Sequence, residues 1–135
     1  MYTYALEITK VYDGDTVNGV VDLGFGIKMA IKIRLADINT PELRTKDLDE
    51  KARGYAARDF LREFLDKYKD SLLVRTTKKG KYGRWIGELL IYLPDHEYDS
   101  EIVEISEELT SSPMELYLNI NDLLVHKGYA ERRIY

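Results

Sequence analysis

The chain has 135 residues and no cysteine, which excludes disulfides, a thiolate nucleophile and cysteine-ligated zinc. Its formal net charge of −4 argues against a nucleic-acid partner. However, eight acidic side chains and no lysine or arginine fall between residues 95 and 115, which leaves 20 lysines and arginines against 16 acidic residues elsewhere. A mildly basic body therefore carries one acidic segment, residues 94–115, and whole-chain charge is a poor guide to the partner.

The length fits one domain, residues 1–135, with the acidic segment as an insertion. No apolar run approaches the roughly 20 residues that a membrane span needs. The first residues show no basic stretch followed by an apolar block, which is the pattern of a secretory signal. We therefore expect a cytoplasmic monomer, with a secreted mature form as the alternative.

The first third of the chain alternates apolar and polar residues, which predicts three strands, at 2–8, 16–23 and 28–35. Turns are predicted at 13–15 and around the glycines of 24–26. The third strand should point its apolar set inward and its basic set outward. The predicted inward set is Met29, Ile31, Ile33 and Leu35.

Residues 47–69 predict a long helix, because apolar residues recur at helical spacing on an otherwise charged segment. The predicted buried stripe is Ala52, Ala56, Ala57, Phe60, Leu61, Phe64, Leu65 and Tyr68.

Two further strands, 72–76 and 85–93, are joined by a basic turn at 78–84, and 116–120 alternates as a short strand. Asn121 is predicted to cap a helix over 122–127 that Gly128 ends, and 129–135 is predicted as the last strand. This order favours a β-barrel with flanking helices, a five-stranded OB fold.

Four clusters carry candidate chemistry, and each also has a structural interpretation, which is favoured for all but the third when the cluster is taken alone. Residues 13–16, Asp-Gly-Asp-Thr, suit a hairpin turn but also offer a carboxylate to a hard cation. Residues 40–42, Thr-Pro-Glu, suit a helix start. Residues 81–84, Lys-Tyr-Gly-Arg, suit a solvated turn, but arginine also binds phosphate through its planar fork. Residues 121–130 read as structural.

Together the clusters resemble the staphylococcal nuclease family, in order and at similar spacing. The matching segments are Asp-Gly-Asp-Thr-Val at 13–17, Arg34, Thr-Pro-Glu at 40–42, Tyr-Gly-Arg at 82–84 and the pattern over 121–130. The resemblance implies an OB-fold barrel and calcium-dependent cleavage of DNA or RNA to 3′-phosphate ends.

Residue by residue, Arg34 and Arg84 match the family's catalytic arginines, and Glu42 matches the glutamate described as its general base. Negative charge builds on phosphoryl oxygens as water attacks, so cations aimed at those oxygens are the expected main catalytic contribution.

The resemblance also implies a calcium site formed by Asp15, the residue at position 39 and the backbone carbonyl of Thr40. Lys81 and Tyr82 match positions that contact a nucleotide phosphate. Position 39 departs from the family, because Asn39 stands where a second metal aspartate is expected. A neutral ligand there should weaken calcium binding.

The chief alternative is an OB-fold module that binds nucleic acid without cutting it, which the loss of the metal aspartate favours. The retention of two arginines and Glu42 opposes it. A third alternative is a protein-interaction domain acting through the acidic segment. A Rossmann fold is disfavoured, because Gly-Phe-Gly at 24–26 lacks the third glycine and a following helix.

Overall fold

A computed structural model describes residues 2–109 and 116–133, apart from the side chain of Tyr82. The alternating first third forms three strands, as predicted: β1 (Thr3–Asp13), β2 (Thr16–Gly24) and β3 (Ile27–Leu35). After the two-residue strand β4 (Ile38–Asn39) comes helix α1 (Leu48–Lys67), followed by β5 (Leu72–Lys79) and β6 (Trp85–Tyr92). The third part holds α2 (Ser100–Leu109), β7 (Tyr117–Asn119), α3 (Ile120–His126) and β8 (Glu131–Arg132).

Five strands close into a mixed barrel, which confirms the predicted OB-like fold. β1 pairs antiparallel with β2 and with β5, β2 pairs with β3, and β5 pairs with β6. Closure comes from a parallel pairing between β3 and β6, in which Ile33 lies opposite Trp85. The short strand β7 adds to the open side of β6, and β4 pairs with β8.

The β2–β3 hairpin extends past the core, which corrects one part of the predicted inward set. Ile31, Ile33 and Leu35 are buried, but Met29 is 42% exposed. At the tip, Phe25 is fully exposed and adopts a left-handed backbone with φ of +57°. Alternation therefore marks the strand correctly but overestimates how far the core reaches along it.

Helix α1 begins at the predicted position, because the Asp47 side chain accepts hydrogen bonds from the backbone N–H groups of Asp49 and Glu50. The C-terminal part of the predicted stripe packs on the barrel. Ala52 and Ala56, however, are exposed, so the N-terminal part of the prediction is wrong. In the first turns of α1, Gly54 rather than these alanines faces the loop at 41–43, which contains Pro41 and Leu43.

The acidic segment contains a helix that the sequence reading did not predict. The Asp99 carboxylate accepts hydrogen bonds from the N–H groups of Glu101 (3.1 Å) and Ile102 (3.2 Å), which starts α2. Ile102 and Ile105 are buried in the core, so the segment is part of the packed structure. Residues 110–115 lie outside the described part of the chain.

The third helix begins earlier than predicted, and its cap is Asn119, whose side chain accepts from the N–H of Asp122. Asn121, predicted as the cap, is instead 2% exposed and inside the helix. Gly128 ends the helix in a left-handed conformation, as predicted. Of the predicted strand at 129–135, only the two residues of β8 pair, and residues 134–135 are not described.

The side chain of Asn121 connects three parts of the barrel. Its amide nitrogen donates to the carbonyls of Ala36 and Gly87, both at 3.2 Å. Its amide oxygen accepts from the N–H of Leu89 at 3.2 Å. This side chain therefore links α3 to β6 and to the chain just after β3, beside the place where the barrel closes. No helix among the described residues is long and apolar enough to cross a membrane.

Candidate active site

The turn between β1 and β2 lies in close contact with the loop after β4. A Cβ atom at Gly14 would lie 2.6 Å from Cγ2 of Thr40 and 2.9 Å from Cβ of Ala57. Only glycine permits this approach, because real Cβ contacts are never so short. Gly14 thus brings its neighbour Asp15 against Thr40, which is 25 residues away in sequence.

The Asp15 carboxylate is mostly buried and meets three donors. One oxygen accepts from the Thr40 backbone N–H at 3.0 Å and lies 3.3 Å from Nη2 of Arg34. The other accepts from the Thr16 hydroxyl at 3.2 Å. A buried carboxyl group requires such partners, and these three contacts hold the Asp15 side chain in a fixed orientation.

Arg34 is the next-to-last residue of β3, and its side chain contacts Asp15. Its Nη1 donates to the carbonyl of Leu35 at 2.9 Å, and its Nη2 donates to Oδ1 of Asn39. The Arg34 side chain is 17% exposed and that of Asp15 is 12% exposed. Asp15 and Asn39 therefore contact the same nitrogen of one guanidinium, and the predicted residues 15, 34, 39 and 40 form a single contact cluster.

Asp13 joins this cluster, although the sequence reading treated it only as a turn residue. Burial, followed by its hydrogen bond with Asp15 and the charge of Asp15, raises the pKa of Asp13 to about 6. Its Oδ1 also accepts from the backbone N–H of Asp15 at 3.0 Å. The sequence pattern that indicates this carboxylate pair is Asp-Gly-Asp at 13–15, in which two acidic residues flank one glycine.

Arg84 and Lys81 lie on the connection between β5 and β6. Arg84 is half-buried and directly precedes Trp85, which is opposite Ile33 in the parallel β3–β6 pair. Side chains alternate between the two faces along an extended chain, and the Arg84 backbone is extended. Arg84 therefore lies on the face opposite to that of Trp85, which is the face that Arg34 shares with Ile86. Lys81 is exposed in a single 3-10 turn, and the side chain of Tyr82 lies outside the described structure.

Glu42 lies at the mouth of an open cleft of about 590 Å³, which Asn39 and Thr40 also line. The far side of the cleft is formed by Glu50 and Arg53 of α1 and by the segment after α3. A Cβ at Gly54 would lie 2.8 Å from the Pro41 carbonyl oxygen, so this glycine lets the Glu42 loop pack on the helix. Glu42 is exposed and can reach water in the cleft.

The groups that the resemblance assigns to a calcium site suit a hard cation in kind. Asp15 supplies a carboxylate, Asn39 an amide oxygen and Thr40 a backbone carbonyl, which are ligand types that calcium prefers. Within residues 2–109 and 116–133, no group of three or more histidine, aspartate or glutamate side chains could hold a metal. These ligand types suit calcium, but the set contains only one carboxylate. Arg34 contacts two of the three residues, Asp15 and Asn39.

Comparison with known proteins gives two matches. The model of the family described as staphylococcal nuclease homologue matches residues 32–135. The chain is also 29% identical over 124 residues to Protein ParB of Escherichia coli, an alignment that covers 92% of this chain and 54% of that protein. The chain thus spans about half the length of this curated relative.

Proposed function

Because the chain belongs to the family of staphylococcal nuclease homologues, we propose that it is a calcium-dependent nuclease that hydrolyses phosphodiester bonds of DNA or RNA. The observation that carries the proposal is the Arg34 guanidinium, oriented by Asp15, Asn39 and the Leu35 carbonyl. A solvated surface arginine has no need of three fixed partners, whereas a phosphate-binding arginine gains from a fixed orientation.

In the proposed mechanism, Arg34 and Arg84 bind the non-bridging oxygens of the scissile phosphate. Arginine suits this position because its fork donates paired hydrogen bonds to phosphate oxygens and remains charged. Their positions on the same side of the β3–β6 pair support joint contact with one phosphate. Lys81 and Tyr82 are proposed to contact a neighbouring phosphate of the same substrate.

Glu42 is proposed as the general base. It takes a proton from a water molecule in the cleft, and the water oxygen attacks phosphorus opposite the leaving oxygen. The bond from phosphorus to the 5′ oxygen breaks and that oxygen takes up a proton from solvent water, so the products are a 3′-phosphate end and a 5′-hydroxyl end. Base catalysis of this type contributes about 10²–10⁴-fold.

Asp15, Asn39 and the Thr40 carbonyl would hold calcium beside Arg34. When bound, the ion would neutralise phosphoryl charge and orient the attacked phosphate. Asp15 also keeps Arg34 in position, because the same carboxylate oxygen contacts both Arg34 and the Thr40 N–H.

The test compares Glu42→Gln with Glu50→Gln on a labelled oligonucleotide in calcium. Both glutamates line the same cleft, so both variants remove one negative charge from it. We expect Glu42→Gln to lose at least a hundredfold in kcat, because the amide cannot accept the proton. Glu50→Gln should cleave within about threefold of wild type.

Cleavage by Glu42→Gln at the wild-type rate would refute the general-base assignment. Equal losses in both variants would mean that cleft charge, rather than proton transfer, controls the rate. Calcium-independent cleavage of the oligonucleotide would refute the proposed cofactor.

A second candidate function is a binding module that holds nucleic acid without cutting it. The observation that favours it is Asn39, whose neutral oxygen accepts from Arg34 where a second anionic metal ligand is expected. Wild-type protein that binds an oligonucleotide but leaves it intact at millimolar calcium would establish this function in place of the nuclease.

A further inference from the structure

A cluster of two lysines around one tyrosine covers the outer face of the first three strands. Nζ of Lys10 lies 4.4 Å from the centroid of the Tyr12 ring, and Nζ of Lys32 lies 4.6 Å from it. The Tyr12 hydroxyl accepts a hydrogen bond from the Asn18 side chain at 3.0 Å. We call Lys10, Tyr12, Asn18 and Lys32 the lysine–tyrosine cluster.

Strand register fixes this cluster on the outside of the barrel. Lys10 lies opposite Asn18, and Asn18 lies opposite Lys32, so the three form one row across β1, β2 and β3. The next row, in which Val11 and Ile33 flank Val17, is fully buried. Residues facing each other in a sheet share a face and alternate along the strand, so the row of Lys10 and Lys32 faces outward.

The cluster brings two like charges to one ring. Each ammonium gains from the ring's negative face, but the two repel each other. Among the described residues, neither lysine is within 4.0 Å of a carboxylate oxygen. The acidic side chains on the outer face of these three strands are Glu7 and Asp22, which lie toward the β2–β3 hairpin, and Asp13, which lies in the row of Arg34. A concentrated positive charge without an ion pair is suited to an external anion.

The position of the cluster relative to Arg34 identifies that anion. Lys32 and Arg34 are two residues apart on β3 and point to the same face, which separates their Cα atoms by about 6.6 Å. Arg34 lies opposite Thr16, which is two residues along β2 from Asn18 and therefore on the same face as Asn18 and Lys32. The cluster is therefore beside the proposed scissile phosphate, at a distance suited to the next phosphate of the same strand.

We propose that the lysine–tyrosine cluster binds the phosphate next to the scissile one, so that a nucleic-acid strand crosses the outer face of β1, β2 and β3. The proposal rests on the proposed function, since Arg34 sets the position of the scissile phosphate. Tyr12 holds the two ammonium groups at a fixed spacing, and the lysines supply a sequence-independent backbone contact.

The test measures binding of a fluorescent single-stranded oligonucleotide in chelator, where no cleavage occurs. Lys10→Gln and Lys32→Gln are compared with Lys69→Gln, which removes one exposed charge from the turn between α1 and β5. We expect each cluster variant to weaken binding about three- to tenfold near 50 mM salt. The slope of log affinity against log salt should fall by about 0.7 for each lysine lost. Lys69 lines the groove beside Lys10 but is not part of the lysine–tyrosine cluster, so Lys69→Gln should change both quantities less than either cluster variant does.

Two further comparisons separate a subsite from general attraction. Tyr12→Leu should weaken oligonucleotide binding because the lysines lose their common support, while Tyr12→Phe, which keeps the ring, should bind as wild type. A dinucleotide has one phosphate, which Arg34 and Arg84 bind, so the lysine variants should bind it with unchanged affinity. Thermal unfolding of each variant shows that the fold persists.

Equal oligonucleotide binding by Lys10→Gln, Lys32→Gln and Lys69→Gln would overturn the proposal. Loss of dinucleotide binding in the lysine variants would overturn it as well, because the cluster would then act on the scissile phosphate itself. Failure of the proposed function has a different result: wild type would bind the oligonucleotide through the cluster and leave it uncut in calcium.

Discussion

Replacement of the buried Asn121 by leucine tests how the barrel is held closed next to the candidate site. Leucine has a similar size but neither donates nor accepts hydrogen bonds. In Asn121→Leu, the Leu89 N–H and the Ala36 carbonyl lose the partner that the amide supplies. The Gly87 carbonyl is affected less, because it also accepts from the backbone N–H of Ala36 at 2.8 Å.

The expected cost follows from these two groups. A buried donor or acceptor left without a partner costs about 1–3 kcal/mol, so two cost about 2–6 kcal/mol. The added apolar surface of leucine returns about 1 kcal/mol. We expect a net loss of about 3 kcal/mol in the free energy of unfolding, which is roughly a hundredfold in the folding equilibrium.

The assay is urea unfolding followed by tryptophan fluorescence, since the single Trp85 begins the strand that closes the barrel. Asn119→Ala is the control, because it removes the capping hydrogen bond of the same helix and one hydrogen bond to the Glu88 carboxylate, and should cost about 1–2 kcal/mol. A loss for Asn121→Leu no larger than that of the control would refute the reasoning. It would mean that water or backbone shifts satisfy the two groups.

Two other predictions concern the metal site and the acidic segment. Asn39→Asp should tighten calcium binding by about tenfold in calorimetry, because it adds an anionic ligand; unchanged or weaker binding would show that Arg34 neutralises the added charge instead. Asp99→Ala should lower stability by about 1 kcal/mol at pH 7, because it removes the group that starts α2 and that accepts from the Tyr68 hydroxyl. The hydrogen bond from the Ile102 N–H is the largest of the effects that hold the pKa of Asp99 below its usual value. The stability that Asp99 contributes is therefore present at pH values above the usual pKa of a carboxyl group and is lost as the pH falls. The difference in urea unfolding between wild type and variant should therefore shrink as pH falls below the usual carboxyl range, and a difference that stays constant from pH 7 into that acid range would contradict the assignment.

The sequence predicts the barrel well because alternation is a local property of each strand. The sequence predicts burial at the ends of the strands less well, because exposure depends on which other elements pack on the strand at that position. Met29 and Ile33 look alike in the sequence, yet only Ile33 lies over the core. Helix α2 was missed because charge dominates its composition, although Ile102, Ile105 and Leu109 already have helical spacing.

Polar residues at the start of a helix are equally ambiguous. Asn119 and Asn121 are both plausible caps by sequence, and only the packing of α3 on β6 shows which one faces the barrel interior. In the candidate site, the motifs indicated Asp15, Arg34 and Thr40. The contact of Arg34 with Asn39 and the raised pKa of Asp13 depend on distances and burial that no local pattern encodes.

The parallel β3–β6 pairing has a kinetic consequence. Ile33 and Trp85 are about fifty residues apart in sequence, and such a long loop costs entropy before any contact offsets it. Hairpins such as β1–β2 and β5–β6 form locally, whereas this seam requires both halves of the chain, so we expect it to be completed late in folding. Arg34 belongs to one of the two paired strands, β3, and Arg84 directly precedes the other, β6. Partial opening of the seam would therefore separate the two arginines while most of the barrel remained folded, so that local fluctuation would stop the proposed cleavage well before global unfolding.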